Sequence, residues 1–156
     1  MKTVIAYMTE TGTTEKCARL LSEMIHGSIA VDLNGEEEVS IREADRIILG
    51  MPVRLGEPDR RMQGFTRMAE ELLLTKEVGL FVCCLCRGRA DEYMRRGYGE
   101  ALWSHAKEKA CFGGEIPIDL QKNRIDRMSL GLTENIGGAE GIDEEAVRLF
   151  ARAFSD

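Results

Sequence analysis

The chain is poor in several things, and each shortage narrows what it does. No apolar run approaches the roughly 20 residues that span a bilayer, so no transmembrane segment is expected. Histidine occurs only as His26 and His105, and no Ser-His-Asp or paired-carboxylate constellation accompanies either. Basic residues are outnumbered, 21 Lys and Arg against 27 Asp and Glu, for a formal net charge of −6. That balance argues against nucleic acid as a partner. No internal repeat, linker or low-complexity stretch divides the 156 residues, so one domain over 1–156 with a real core is expected. The N-terminus lacks a basic-then-apolar leader, and the five cysteines read as reduced thiols. A cytoplasmic location is the resulting expectation.

What remains is an alternation of strand-like and helix-like segments. Met1 to Met8 is a continuous apolar run of the type buried on both faces of a parallel sheet. Thr13 to His26 has helical spacing, with Cys17, Leu20, Leu21, Met24 and Ile25 on one face and Gly27 as its stop. Ser28–Leu33 is a short strand, and Glu36–Glu38 an acidic turn. Arg46–Met51 is the next buried strand, and Pro52–Pro58 reads as a loop. Met62, Phe65, Met68, Ala69, Leu72 and Leu73 keep helical spacing. Val78–Cys84 is a fourth strand, Cys86–Arg89 a loop, and one helix carrying Leu102, Ala106 and Ala110 follows. Ala110–Ile116 reads as a fifth strand with a glycine break, 117–141 is poorly patterned, and Asp143–Phe154 is an amphipathic helix with an acidic first turn. Such alternation predicts an α/β fold with a parallel sheet and helices on both faces.

The most informative stretch is Thr9-Glu10-Thr11-Gly12-Thr13-Thr14, between the first strand and the first helix. It presents hydroxyls and unpaired backbone amides at the positive end of a helix dipole, which suits a dianionic phosphate. No lysine or arginine lies within it, so the phosphate held there is one that stays put rather than one being transferred. A Thr-rich cap on an ordinary helix is the plainer alternative.

Ile5-Ala6-Tyr7-Met8-Thr9-Glu10-Thr11-Gly12-Thr13-Thr14, with Ala18 four residues on, resembles the FMN phosphate loop of flavodoxins, departing from it at Ala6. The resemblance implies a flavodoxin-like three-layer sandwich with a five-stranded sheet of order 2-1-3-4-5, and FMN as cofactor. In that order ligands sit beyond the carboxyl ends of the strands, between strands one and three. Two further loops should flank the flavin ring there: Pro52, Val53, Arg54, Leu55 and Gly56, then Cys84, Leu85, Cys86, Arg87 and Gly88. The stretch Met51–Gly56, with Phe65 after it, is similar to the corresponding loop of menaquinone-dependent protoporphyrinogen oxidases. Arg54 and Gly56 match that loop, while Leu55 stands where an aromatic is usual. Neither flanking loop contains an aromatic, and Tyr93 or Tyr98 is the residue left to reach one ring face.

Seven arginines, Arg54, Arg60, Arg61, Arg87, Arg89, Arg95 and Arg96, gather near this rim. They suit an anionic substrate or a raised flavin potential; alternatively they pair with Glu57, Asp59, Asp91 and Glu92 on a solvated surface. Cys83-Cys84-Leu85-Cys86 lacks the second ligand pair of a zinc site, and Cys83 and Cys84 point to opposite faces. No metal is expected. The combined expectation is an FMN-binding redox protein, either an oxidoreductase like the protoporphyrinogen oxidases, using a quinone or redox partner, or an electron carrier. The alternative is a binding module that kept the fold and lost the flavin.

Overall fold

The computed structural model describes residues 1–35, 38–114 and 141–155, with the side chains of 38–40 left aside. Its elements are β1 (Thr3–Tyr7), α1 (Thr13–Met24), β2 (Ile29–Asp32), α2 (Glu38–Glu43), β3 (Arg46–Arg54), β4 (Glu57–Pro58), α3 (Arg60–Leu73) and β5 (Glu77–Cys83). A 3-10 turn over Arg87–Arg89 leads into α4 (Ala90–Tyr98) and α5 (Glu100–His105), then β6 (Glu108–Cys111), β7 (Gly113–Gly114), β8 (Gly141–Ile142) and α6 (Glu144–Arg152). The parallel strands run in the order β2-β1-β3-β5-β6. Setting aside β4, which pairs antiparallel to the end of β3, this is the expected 2-1-3-4-5 order.

Alternation along the strands builds two cores. Val4, Ala6, Ile47, Leu49, Met51, Val78, Leu80 and Val82 face one way, and pack with Met62 of α3, Met94 and Tyr98 of α4 and Leu102 of α5. Ile5, Tyr7, Ile48, Phe81 and Cys83 face the other way, against Cys17, Ala18 and Leu21 of α1 and Val147, Phe150 and Ala151 of α6. Each set removes a continuous apolar face from water, which drives the three-layer arrangement. On the second face, Phe81 stacks on Phe112 with centroids 4.7 Å apart, and Phe112 meets Phe150 edge-on at 5.4 Å. Gly50 in β3 lets the Phe81 ring lie flat on the strand, because a Cβ there would overlap that ring. The tail helix is capped by Asp143, whose carboxylate accepts from the Ala146 amide at 3.0 Å.

Several local expectations are corrected. The first helix ends at Met24 rather than His26, with Ile25 as its cap and Gly27 in the following turn at φ 77°. A short helix, α2, begins at Glu38, the last residue of the stretch read as an acidic turn, whose other two residues lie outside the described ones. Met68 is 90% exposed and belongs to no core. The single helix expected before the fifth strand is broken at Gly99, whose φ of 94° lies outside the helical region. It ends at His105, so that residue closes a helix rather than sitting within one. The fifth strand begins at Glu108, earlier than expected, and ends at Cys111; Gly113–Gly114 leave the sheet to pair with Gly141–Ile142. Of the poorly patterned stretch 117–141, all but Gly141 lies outside the described residues.

Candidate functional site

The carboxyl ends of β1, β3 and β5 open on the same edge of the sheet, and the expected loops leave from there. The first loop turns through Gly12, in the left-handed region at φ 95°, which acts as N-cap of α1 without any side-chain capping bond. Its own amide donates to Thr9 Oγ1 at 3.1 Å, folding the loop into a tight arch. A glycine N-cap supplies no side-chain oxygen to the first amides of α1, and a helix start is where an anion is readily taken up. A Cβ added at Gly12 would meet nothing within 4 Å, so the space over the arch is open. Thr13 and Thr14 are buried, and Thr14 Oγ1, beside the Cys83 thiol, has no partner at hydrogen-bonding geometry. A buried hydroxyl without a partner costs about 1–3 kcal/mol, a cost that a ligand phosphate accepting from it would remove. The loop therefore fits a phosphate.

The second loop is a correction. Strand β3 continues through Pro52, Val53 and Arg54, and Arg54 pairs with Glu57 while Val53 pairs with Pro58. Leu55 and Gly56 form a two-residue turn with φ of 54° and 73°, the pair of positive values that joins a tight hairpin. Leucine in the left-handed region costs roughly 1–2 kcal/mol, and this one is 56% exposed at the tip. The hairpin is braced from both sides. Arg96 of α4 donates to the Gly56 carbonyl at 3.4 Å and pairs with Glu57 at 2.7 Å. Arg54 lies 3.9 Å from Glu10, across the gap to the first loop. A further link comes from Arg61, which donates to the Thr9 carbonyl at 3.2 Å while held by Asp59 at 2.8 Å. Arg61 thereby ties the first loop to the start of α3, a bracing role that its place in the arginine cluster did not reveal.

The third loop starts at Cys84, whose side chain turns into the core, so at the site it can offer only its backbone. Leu85 and Cys86 are half-buried, while Arg87 and Gly88 are exposed. Arg87 pairs with Asp143 at 2.8 Å, tying this loop to the cap of the tail helix. The amide of Ala146 and then the Arg87 guanidinium hold the Asp143 carboxyl below its ordinary value.

Six of the seven gathered arginines are ion-paired: Arg54 with Glu10, Arg61 with Asp59, Arg87 with Asp143, Arg89 with Glu92, Arg95 with Glu100, and Arg96 with Glu57. Surface pairing, rather than an open anion-binding rim, describes most of them. Neither tyrosine reaches the site. Tyr98 is 1% exposed and donates to the Leu49 carbonyl at 3.2 Å, while Tyr93 is buried beneath the Arg89 guanidinium. Burial raises the phenol of both above its ordinary value. The exposed Leu55 and the half-buried Val53 are the apolar side chains that the hairpin presents at this edge. Among the described residues no cluster of His, Cys, Asp or Glu is fit to hold a metal, and no helix is long and apolar enough to cross a membrane.

The Flavodoxin domain family matches residues 4–136, a span that includes all three loops. The chain belongs to the flavodoxin domain family. Among solved structures it is similar to oxidised Flavodoxin 1 from Bacillus cereus, with 18% identity, a TM-score of 0.61, and 99% of this chain and 97% of that one covered. A short-chain flavodoxin associated with a non-canonical PDU bacterial microcompartment gives 13% identity and a TM-score of 0.66, covering 99% and 96%. A Lactobacillus acidophilus flavoprotein in complex with FMN gives 15% identity and a TM-score of 0.53, covering 70% of this chain and 92% of that one. At these identities the likeness carries the flavodoxin fold. Among curated proteins none matches.

Proposed function

We propose that this protein binds FMN at the carboxyl edge of its sheet and passes electrons between redox partners. The observation that carries the reading is the arch at Gly12: a helix start with glycine as its N-cap, open space above it, and the unpartnered hydroxyl of Thr14 buried behind it. Thr9, Glu10, Thr11, Gly12, Thr13 and Thr14 would hold the phosphate. Residues 52–56 and 84–88 would border the ring. Bound FMN supplies one- and two-electron chemistry at that ring. The chain's part is to fix the phosphate by amide and hydroxyl donors, to brace the hairpin through Arg96, Arg54 and Arg61, and to keep water from one side of the site with Leu55 and Val53.

The kinship to the protoporphyrinogen oxidases rested on Arg54, Gly56 and an arginine-rich rim for an anionic substrate. With six of those arginines already paired to carboxylates, the carrier role is the better supported of the two redox readings. One observation favours a second reading, a binding module without flavin: no aromatic side chain is offered for stacking by the hairpin, the third loop, Tyr93 or Tyr98. Stacking contributes about 0.5–1.5 kcal/mol beyond area burial, so its lack predicts a modest affinity rather than none. Potentiometry of the FMN-loaded protein, run beside turnover of protoporphyrinogen with a quinone, tests the assignment. A carrier shows a stabilised semiquinone and no porphyrin above the uncatalysed rate. Steady turnover of that substrate overturns the carrier reading in favour of the oxidase.

A further inference from the structure

Four of the five cysteines form two thiol pairs on opposite faces of the sheet. Cys17 and Cys83 lie with sulfurs 3.6 Å apart on the α1 side, and they are 0% and 4% exposed. Cys84 and Cys111 lie with sulfurs 3.5 Å apart on the other side. The second pair differs in three ways. Both members stand at the carboxyl ends of adjacent parallel strands, β5 and β6, which is the ligand edge of the sheet. Cys111 is partly exposed while Cys84 is 3% exposed. Each sulfur also lies 3.6 Å from a loop carbonyl, Cys84 from that of Cys86 and Cys111 from that of Cys84, so the two side chains are held facing each other.

We propose that Cys84 and Cys111 form a redox-active dithiol that cycles with an intramolecular disulfide, Cys111 attacking and Cys84 resolving. The oxidant is a small-molecule disulfide of the glutathione class, and the step needs no flavin. The Cys111 thiolate attacks one sulfur of the oxidant, breaking its S–S bond and releasing one thiolate that takes up a proton. Cys84 then loses its proton and attacks the Cys111 sulfur of the mixed disulfide, releasing the second thiol. Two protein thiols are oxidised and one small disulfide is reduced to two thiols.

The environments divide these roles. Cys111 is held below the ordinary thiol range by the Cys84 thiol beside it, by the backbone at Gly113 and Cys84, and by the Arg87 guanidinium. Cys84 is pushed up by its contact with Cys111 and by burial. The thiolate is the nucleophile in such exchange, and it falls on the partner that solvent reaches. The sulfurs need to close from 3.5 Å to the roughly 2.0 Å of an S–S bond. Cys17 and Cys83 are as near to each other, yet both are closed off from an oxidant, and the contact with Cys17 together with burial pushes Cys83 far up. They serve as the internal control.

The test is peptide mapping of the full-length protein, reduced, desalted, exposed to glutathione disulfide, acid-quenched and digested with trypsin without reduction. Trypsin places Cys83, Cys84 and Cys86 on one peptide and Cys111 on another. The expected result is a link between these two peptides, lighter by two hydrogens than the sum of the free thiol forms and reversed by dithiothreitol. It persists in Cys86→Ser and Cys83→Ser. It disappears in Cys84→Ser, where a glutathione adduct accumulates on Cys111 instead. Full alkylation of Cys84 and Cys111 after exposure to excess oxidant overturns the proposal, as does a link that survives Cys84→Ser. If a variant fails to fold, fragmentation of the wild-type linked peptides decides, by showing whether Cys111 is bonded to Cys84 or to Cys83 or Cys86.

Discussion

Replacing Thr14 with valine separates a structural hydroxyl from a ligand-binding one, because the two roles predict different pairs of results. The substitution keeps the shape and removes the oxygen. Thr14 Oγ1 is buried with no partner at hydrogen-bonding geometry, an arrangement that costs about 1–3 kcal/mol. Thr14→Val should therefore stabilise the flavin-free protein, by roughly 1–2 kcal/mol, a few degrees in Tm for a domain of this size. If the FMN phosphate sits at this loop, the hydroxyl would donate to a charged phosphate oxygen, a bond worth about 1.5–3 kcal/mol. Its loss should weaken FMN by about 10- to 100-fold, at one decade per 1.4 kcal/mol. The assay is thermal unfolding of the flavin-free protein beside fluorescence titration with FMN, on wild type and variant. A stabilised variant that binds FMN as tightly as wild type would refute the placement of the phosphate at this loop. A destabilised flavin-free variant would refute the claim that the hydroxyl is unsatisfied there.

Three further outcomes are expected. Arg54→Ala should lower the potential of bound flavin by removing a cation at the hairpin; its exposed pairing with Glu10 limits the effect to about 1 kcal/mol or less, and an unchanged potential removes the idea. Gly50→Ala should destabilise the fold by about 1–3 kcal/mol or more, read in urea unfolding, because the new methyl overlaps the Phe81 ring; a neutral result would mean that the ring moves freely. In alkaline titration followed by tyrosinate absorbance, none of the three tyrosines should ionise at its ordinary pKa. Burial and the bond to Glu15 raise Tyr7 from 10.0 to about 12, and burial raises Tyr93 and Tyr98 as well. The stability carried by the neutral Tyr7 phenol is fully present below pH 10 and is lost as the pH climbs through 12. Normal ionisation of one tyrosine in the folded protein would contradict this.

The parts legible in the sequence were those in which two local signals agree. The first strand, arch and helix were readable because a continuous apolar run, a hydroxyl-rich turn with one glycine and a helical repeat adjoin. The tail helix was readable because its acidic first turn and its apolar stripe coincide. The hairpin was not, since its turn is Leu55-Gly56 rather than Asn-Gly or Asp-Gly, and Pro52 and Pro58 suggested a loop. Pro58 is tolerated because it stands on a two-residue edge strand. The break at Gly99 was hidden by an apolar repeat that carries on across it. The fates of the arginines and cysteines depended on contacts far apart in sequence. Arg96 meets Glu57, Arg87 meets Asp143, and Cys84 meets Cys111; no local pattern announces these.

The most direct test of the account is titration of the purified protein with FMN and, in parallel, with riboflavin, which carries the same ring without the phosphate. One-to-one quenching of FMN fluorescence is expected, with riboflavin binding at least tenfold more weakly because the arch at Gly12 then has no phosphate to hold. Equal affinity for the two would contradict the phosphate site, and indifference to both would give the lead to the binding module without flavin.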